Sequence, residues 1–116
     1  QYRYNHMASF AANLWPKYGL PFCVGEVCHG AELPFVFHNT GINTTWSFTD
    51  GEDHMSRTIV GWWTNFFHTG NPNNGSSVGL PNWPRLLNTS RINVVINDTI
   101  TQESTDGLCK FWARKD

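Results

Sequence analysis

The chain has 116 residues, a net charge of −1, only 15% charged residues and no Lys/Arg cluster, so it carries no footprint for neutralising nucleic-acid phosphates. Its apolar fraction of 40%, with six Trp and eight Phe, suffices for one packed core. The apolar runs fall far short of the ~20 residues of a transmembrane helix, and the start at Gln1 without a basic-then-apolar leader reads as a cut or processed N-terminus.

Taken in order, Tyr2-Arg3-Tyr4-Asn5-His6 alternates large apolar and polar side chains and runs into Met7-Ala8-Ser9-Phe10, the period of two that predicts a strand. From Ala11 to Val27, Pro16, Gly19, Pro21 and Gly25 interrupt the chain too often for a long helix and predict a long loop. Trp15, Phe22 and Val24 argue that this loop is ordered. It leads to Cys28-His29-Gly30-Ala31-Glu32-Leu33-Pro34-Phe35-Val36-Phe37, on which the rest of the chain is organised. Gly30 lets the backbone turn beside an imidazole, Glu32 can reach back toward the ring or a nearby N–H, and Leu33 to Phe37 can anchor the loop in a core.

A second polar connection, from His38 to Asp50, precedes the strongest helix signal. Thr49 and Glu52 have capping-box spacing, and Met55, Ile59, Val60, Trp62, Trp63, Phe66 and Phe67 fall on a broad stripe of helical period. Thr69-Gly70-Asn71-Pro72 ends it, and His68 complements the helix dipole in its last turn. In the turn-rich loop that follows, Gly75-Ser76-Ser77-Val78-Gly79 satisfies G-x-S-x-G by letter. A nucleophile elbow needs a buried strand before its Ser and a helix after it. Here Asn-Pro-Asn-Asn precedes and Leu-Pro-Asn-Trp-Pro follows, so Ser77 is read as part of a surface loop. Trp83-Pro84 docks the loop, Ile92 to Ile96 reads as a strand before turn-formers at Asn97-Asp98, and Leu108 to Lys115 as a short final helix anchored by Phe111 and Trp112.

Four Asn-x-Ser/Thr triplets, at Asn43, Asn74, Asn88 and Asn97, favour passage through the secretory route, with a secreted or lumenal product. The three cysteines suit that compartment: Cys23 and Cys28 are near enough in sequence for a small disulfide loop, and Cys109 either is a free thiol or has lost its partner. A zinc site at Cys23, Cys28 and His29 is a poor reading, because the short CxxC-type spacing is missing and neighbouring residues would have to ligate together. Neither a metal nor a cofactor is expected.

Three segments carry a family resemblance: Cys28 to Phe37; Ser56-Arg57 through Trp63, Phe66 and Thr69-Gly70-Asn71-Pro72-Asn73; and Trp83-Pro84 followed by a strand and Cys109-x-Phe111-Trp112. In that order they resemble the C-terminal portion of type-B carboxylesterases, the α/β-hydrolases that include the cholinesterases. The resemblance implies an α/β fold class: the C-terminal portion of an α/β-hydrolase, with terminal strands, a histidine loop, one long amphipathic helix and a short last helix. Residues 1–116 would then form part of a single catalytic domain with no separate domains. Such enzymes are several times longer, and their oxyanion-hole glycines, nucleophilic serine and triad acid lie upstream of this segment.

The resemblance further implies that His29 is the general base of a Ser-His-Glu/Asp triad, taking the serine proton in acylation and activating water in deacylation. Glu32 and Gly30 would support it, Cys109 would pair with an upstream cysteine, and the partners would be a small-molecule carboxylic ester and the upstream remainder of the same domain. Cholinesterases carry an aromatic residue where this chain has Ala31, which points to a general carboxylic ester rather than a choline ester. The isolated chain is expected to be inactive. Two other classes compete: a non-catalytic adhesion or recognition domain on the same fold, which an upstream serine would exclude, and a self-standing Trp-rich glycoprotein, which would have to fold alone with an unpaired sheet edge and an uncovered apolar helix face.

Overall fold

The computed structural model describes residues 1–39, 46–87 and 91–105. Strand β1 (Tyr2–Tyr4) runs parallel to β2 (Ile92–Ile96), with Tyr2 opposite Val94 and Tyr4 opposite Ile96. Strand β3 (Thr101–Ser104) pairs antiparallel with the other edge of β2, Val94 facing Gln102. The order β1-β2-β3 makes β2 the central strand. Its Val94, Val95 and Ile96 are accordingly buried, as β-branched residues suited to a covered pleat.

The first strand is shorter than the alternation predicts. Asn5 still donates to the Ile96 carbonyl at 2.8 Å, but pairing then stops and Ser9-Phe10 form a turn. The cause is Glu52: its carboxylate accepts from the Ser9 N–H at 2.6 Å and the Ser9 hydroxyl at 2.7 Å, drawing the backbone away from the ladder. The predicted loop from Ala11 also gains structure. It forms helix α1 (Ala11–Leu14), a 3₁₀ turn over Trp15–Tyr18 and another over Pro21–Cys23. Both prolines lie in a first turn, where the absent N–H has no partner to lose, so residues that forbid a long helix permit these short ones.

After helix α2 (Leu33–Val36) comes helix α3 (Asp50–Thr69), with the predicted caps. Thr49 Oγ1 accepts from the Glu52 N–H at 3.2 Å, while Glu52 accepts from the Thr49 N–H at 2.9 Å. Gly70 ends α3 in the left-handed region at φ +73°, which only glycine adopts without strain. The buried stripe is narrower than the sequence suggests. Met55, Ile59 and Trp62 are fully buried, but Phe66 and Phe67 are exposed.

These residues meet Phe10, Phe35, Val94 and Ile96 in the main core, each large side chain contributing ~1.5–3 kcal/mol by leaving water. Trp46 stacks on Phe10 at 4.0 Å and Phe48 on Phe35 at 4.8 Å. The loop after α3 is tied down by polar side chains. Buried Asn65 donates to the carbonyls of Pro72 and Ser77 and accepts from the Ser77 N–H, and Trp62 Nε1 donates to Pro81 at 2.9 Å. Residues 106–116, with the expected last helix and Cys109, lie outside the described residues.

Candidate active site

His29 stands at the rim of a second, smaller buried cluster made by Ala11, Trp15, Cys23 and Ala31. Cys23 and Cys28 form a disulfide, with Cα atoms 5.7 Å apart. Both sulfurs are thereby spent, which removes the zinc reading. Immediately after His29, Gly30 adopts φ +80°, and two tight turns follow, with Ala31 N–H bonded to Cys28 and Leu33 N–H to Gly30, each at 3.1 Å. The imidazole is exposed and makes no side-chain hydrogen bond among the described residues. It is therefore free to meet a group that these residues do not supply.

The apolar run behind the histidine anchors through one ring. Phe35 is completely buried, whereas Leu33 and Phe37 are exposed, because a helical turn at 100° per residue cannot turn all of them inward. The Phe35 carbonyl is held too: Ser56 Oγ, on α3, donates to it at 2.7 Å. Glu32 is half-buried and is not hydrogen-bonded to His29. Its charge is felt instead by the tyrosines of β1. Burial first, then Glu32, pushes the Tyr2 hydroxyl up, and burial, Glu52, Glu32 and Asp98 together push Tyr4 up strongly.

Two constellations resemble catalytic sets and are clamps. Ser56 Oγ lies 2.9 Å from His38 Nδ1, and His38 Nε2 lies 3.5 Å from Asp53, a Ser-His-Asp sequence of contacts. Yet Ser56 is wholly buried and its proton is committed to the Phe35 carbonyl, so its oxygen accepts from the ring instead of surrendering a proton to it. The other is a hub on Glu52. Beyond the Ser9 and Thr49 bonds, Glu52 Oε1 is 3.0 Å from His6 Nε2, and His6 Nδ1 faces Asp98 at 2.9 Å and Asn97 at 3.3 Å. Burial alone would push the Glu52 carboxyl up, but the Ser9 and Thr49 N–H groups, the His6 ring and the Ser9 hydroxyl outweigh it and hold it down. Ser9 donates to a carboxylate and makes no hydrogen bond to an imidazole among the described residues, so nothing there activates it as a nucleophile.

His6 escaped the sequence reading, although its period-two alignment with Tyr2 and Tyr4 already put it on the inner face. Ser77, rejected as an elbow, indeed has neither a strand before it nor a helix after it; its loop packs against Gly61 of α3.

Comparison with known proteins adds the decisive observation. The model of the carboxylesterase family matches residues 1–112. The chain belongs to the carboxylesterase family. Among curated relatives, human cocaine esterase is 36% identical over 83 residues, covering 72% of this chain and 13% of that protein. Chicken acetylcholinesterase is 32% identical over 117 residues, covering 97% of this chain and 14% of that protein. A PNB esterase structure superposes with a TM-score of 0.67 at 27% identity over 96% of this chain and 20% of that chain. This carboxylesterase segment therefore spans between 13% and 20% of the length of these relatives, and its helices and mixed sheet form part of their α/β fold.

Elsewhere on the carboxylesterase segment, a groove of about 760 Å³ is lined by Tyr2, Trp63, Phe66, Phe67, Trp83 and Leu86, among others, and does not include His29. Asn74 of the second sequon is exposed, whereas Asn97 of the fourth is half-buried with its side-chain oxygen in the His6 cluster. Asn43 and Asn88 lie outside the described residues. Among those residues, no helix is long and apolar enough to cross a membrane, and no cluster of three or more His, Cys, Asp or Glu could hold a metal ion.

Proposed function

We propose that this chain is the C-terminal part of a single catalytic domain of a serine carboxylic-ester hydrolase, and that His29 is its general base. The observation that carries this reading is an exposed imidazole, without a side-chain hydrogen bond among the described residues, on a tight turn between a disulfide and a buried alanine in a chain of this family. The serine nucleophile and the acid come from chain upstream of Gln1. His29 takes the serine proton as the hydroxyl attacks the ester carbonyl, returns it to the leaving alkoxide, and then activates water against the acyl-enzyme. Imidazole suits both directions of transfer, because one ring nitrogen can accept a proton and later return it. Glu32 and Gly30 support the turn.

The substrate is a general carboxylic ester, consistent with Ala31 in place of an aromatic residue. The aromatic groove and the free edge of β1 are the surfaces on which the upstream remainder packs: Phe67 is 82% exposed, and β1 pairs on one side only among the described residues. Sequons and disulfide favour a secreted or lumenal glycoprotein, with Cys109 paired upstream.

In the full-length protein, His29→Ala should lower ester turnover by roughly 10³-fold or more while leaving secretion intact. Retained turnover would remove the base assignment. A fluorophosphonate probe should leave the isolated chain unlabelled, and stoichiometric attachment at Ser77 would show the nucleophile to be local.

A further inference from the structure

We infer that the Cys23–Cys28 disulfide is a positioning element for His29, fixing the imidazole through the small cluster on which both cysteines sit; this rests on His29 being the base. On its C-terminal side, the His29 backbone is held by buried Ala31 and by α2, whose Phe35 is sunk in the main core. On its N-terminal side, Val24, Gly25, Glu26 and Val27 are all exposed. Two backbone bonds fold this stretch, Val24 N–H to the Pro21 carbonyl and Glu26 N–H to the Cys23 carbonyl, each at 3.2 Å. The next anchored residue upstream is Cys23 itself, 2% exposed and packed with Ala11, Trp15 and Ala31.

The disulfide short-circuits those exposed residues. It brings Cys28, the neighbour of His29, onto the same cluster that holds Ala31, so that His29 and Gly30 are the two residues bridging a pair of fixed points. Gly30 in the left-handed region adds no side-chain constraint of its own, so without the crosslink the N-terminal side of residue 29 would be held only by the packing of Cys28 and the bond from the Ala31 N–H to its carbonyl. A proton shuttle tolerates little such freedom, because misplacement by about 1 Å can cost on the order of a hundredfold in rate.

The test uses the full-length enzyme with Cys23→Ala and Cys28→Ala combined. Turnover is expressed per active site, counted by a fluorophosphonate titrant. A positioning role predicts that kcat per titrated site and the rate of labelling each fall at least tenfold while KM moves less than threefold. A merely structural role would reduce the number of titratable sites and leave kcat per site within twofold, which would overturn the inference.

If the double variant does not fold, the folded wild type is treated with dithiothreitol. Each dithiol gives two electrons to a disulfide, whose S–S bond breaks to two thiols as the reagent closes to its own cyclic disulfide. Mass spectrometry of alkylated peptides identifies the bond opened. Labelling that falls in step with opening of Cys23–Cys28 supports the role, and labelling that persists after that bond has opened refutes it. His29→Ala with normal turnover would instead defeat the underlying base assignment, whatever the cysteine variants do.

Discussion

The main core beneath α3 and the small cluster beside His29 are both buried, yet they persist by different means. The first gathers Phe10, Phe35, Met55, Ile59, Trp62, Val94 and Ile96 from one strand, two helices and a turn. Apolar area alone stabilises it, with stacked rings adding direction. The second joins Ala11, Trp15, Cys23 and Ala31, mostly small side chains drawn from a stretch of about twenty residues, and is crosslinked by a disulfide. So little area cannot hold a loop by hydrophobic burial, and a covalent bond supplies what the area does not. The lesson is a division of labour: bulk packing fixes where the helix and sheet lie, and a local covalent bond closes the short stretch that precedes His29.

That contrast can be broken most strongly at Phe35, the residue through which the His29 loop enters the main core. Phe35→Ala in the full-length protein should cost about 3–5 kcal/mol of stability, read from denaturant midpoints at unchanged slope. A loss below ~1 kcal/mol would mean that the core does not depend on this ring.

A smaller effect is expected at Glu52. Its carboxyl is held below the ordinary value of 4.5, so the folded state is favoured while it is ionised; that stabilisation is present above pH 4.5 and is lost as pH falls through the lowered folded value. Stability of the wild type should therefore drop below pH 4.5 more steeply than that of Glu52→Gln, measured by urea unfolding across pH 3 to 6. Parallel pH profiles would remove Glu52 from the hub. Smallest is the cap: Thr49→Ala should cost about 1 kcal/mol and should leave ester turnover per active site unchanged, sharpening the separation between scaffold and seat.

Helix α3 was legible almost to the residue, because the Thr49–Glu52 box, the apolar period and Gly70 are local signals that agree. The outer end of its apolar stripe was not, since Phe66 and Phe67 match the period and still face outward. Periodicity reports which side chains could share a face, not whether a partner covers it. The early end of β1 was hidden for a different reason. Ser9 is withdrawn by a carboxylate more than forty residues away, a contact that no window of sequence contains. The Cys23–Cys28 pairing was readable from spacing, whereas the seat itself needed Ala11, Trp15 and Ala31 to be brought together. His6 shows the remaining gap: alternation put it inside, but its partners Glu52, Asn97 and Asp98 come from α3 and the β2–β3 turn.

The pairing of β1 with β2 sets an order of events. Tyr2 and Val94 are adjacent in the sheet but ninety-two positions apart in sequence, so on a ribosome the first strand must wait for nearly all of this segment to emerge before its partner exists. Helix α3 and the cysteine ring close from local contacts in the meantime, whereas the parallel ladder carries the slow, long-range loop closure. The turn bearing His29 therefore gains its Phe35 anchor only when Val94 and Ile96 arrive to complete the core.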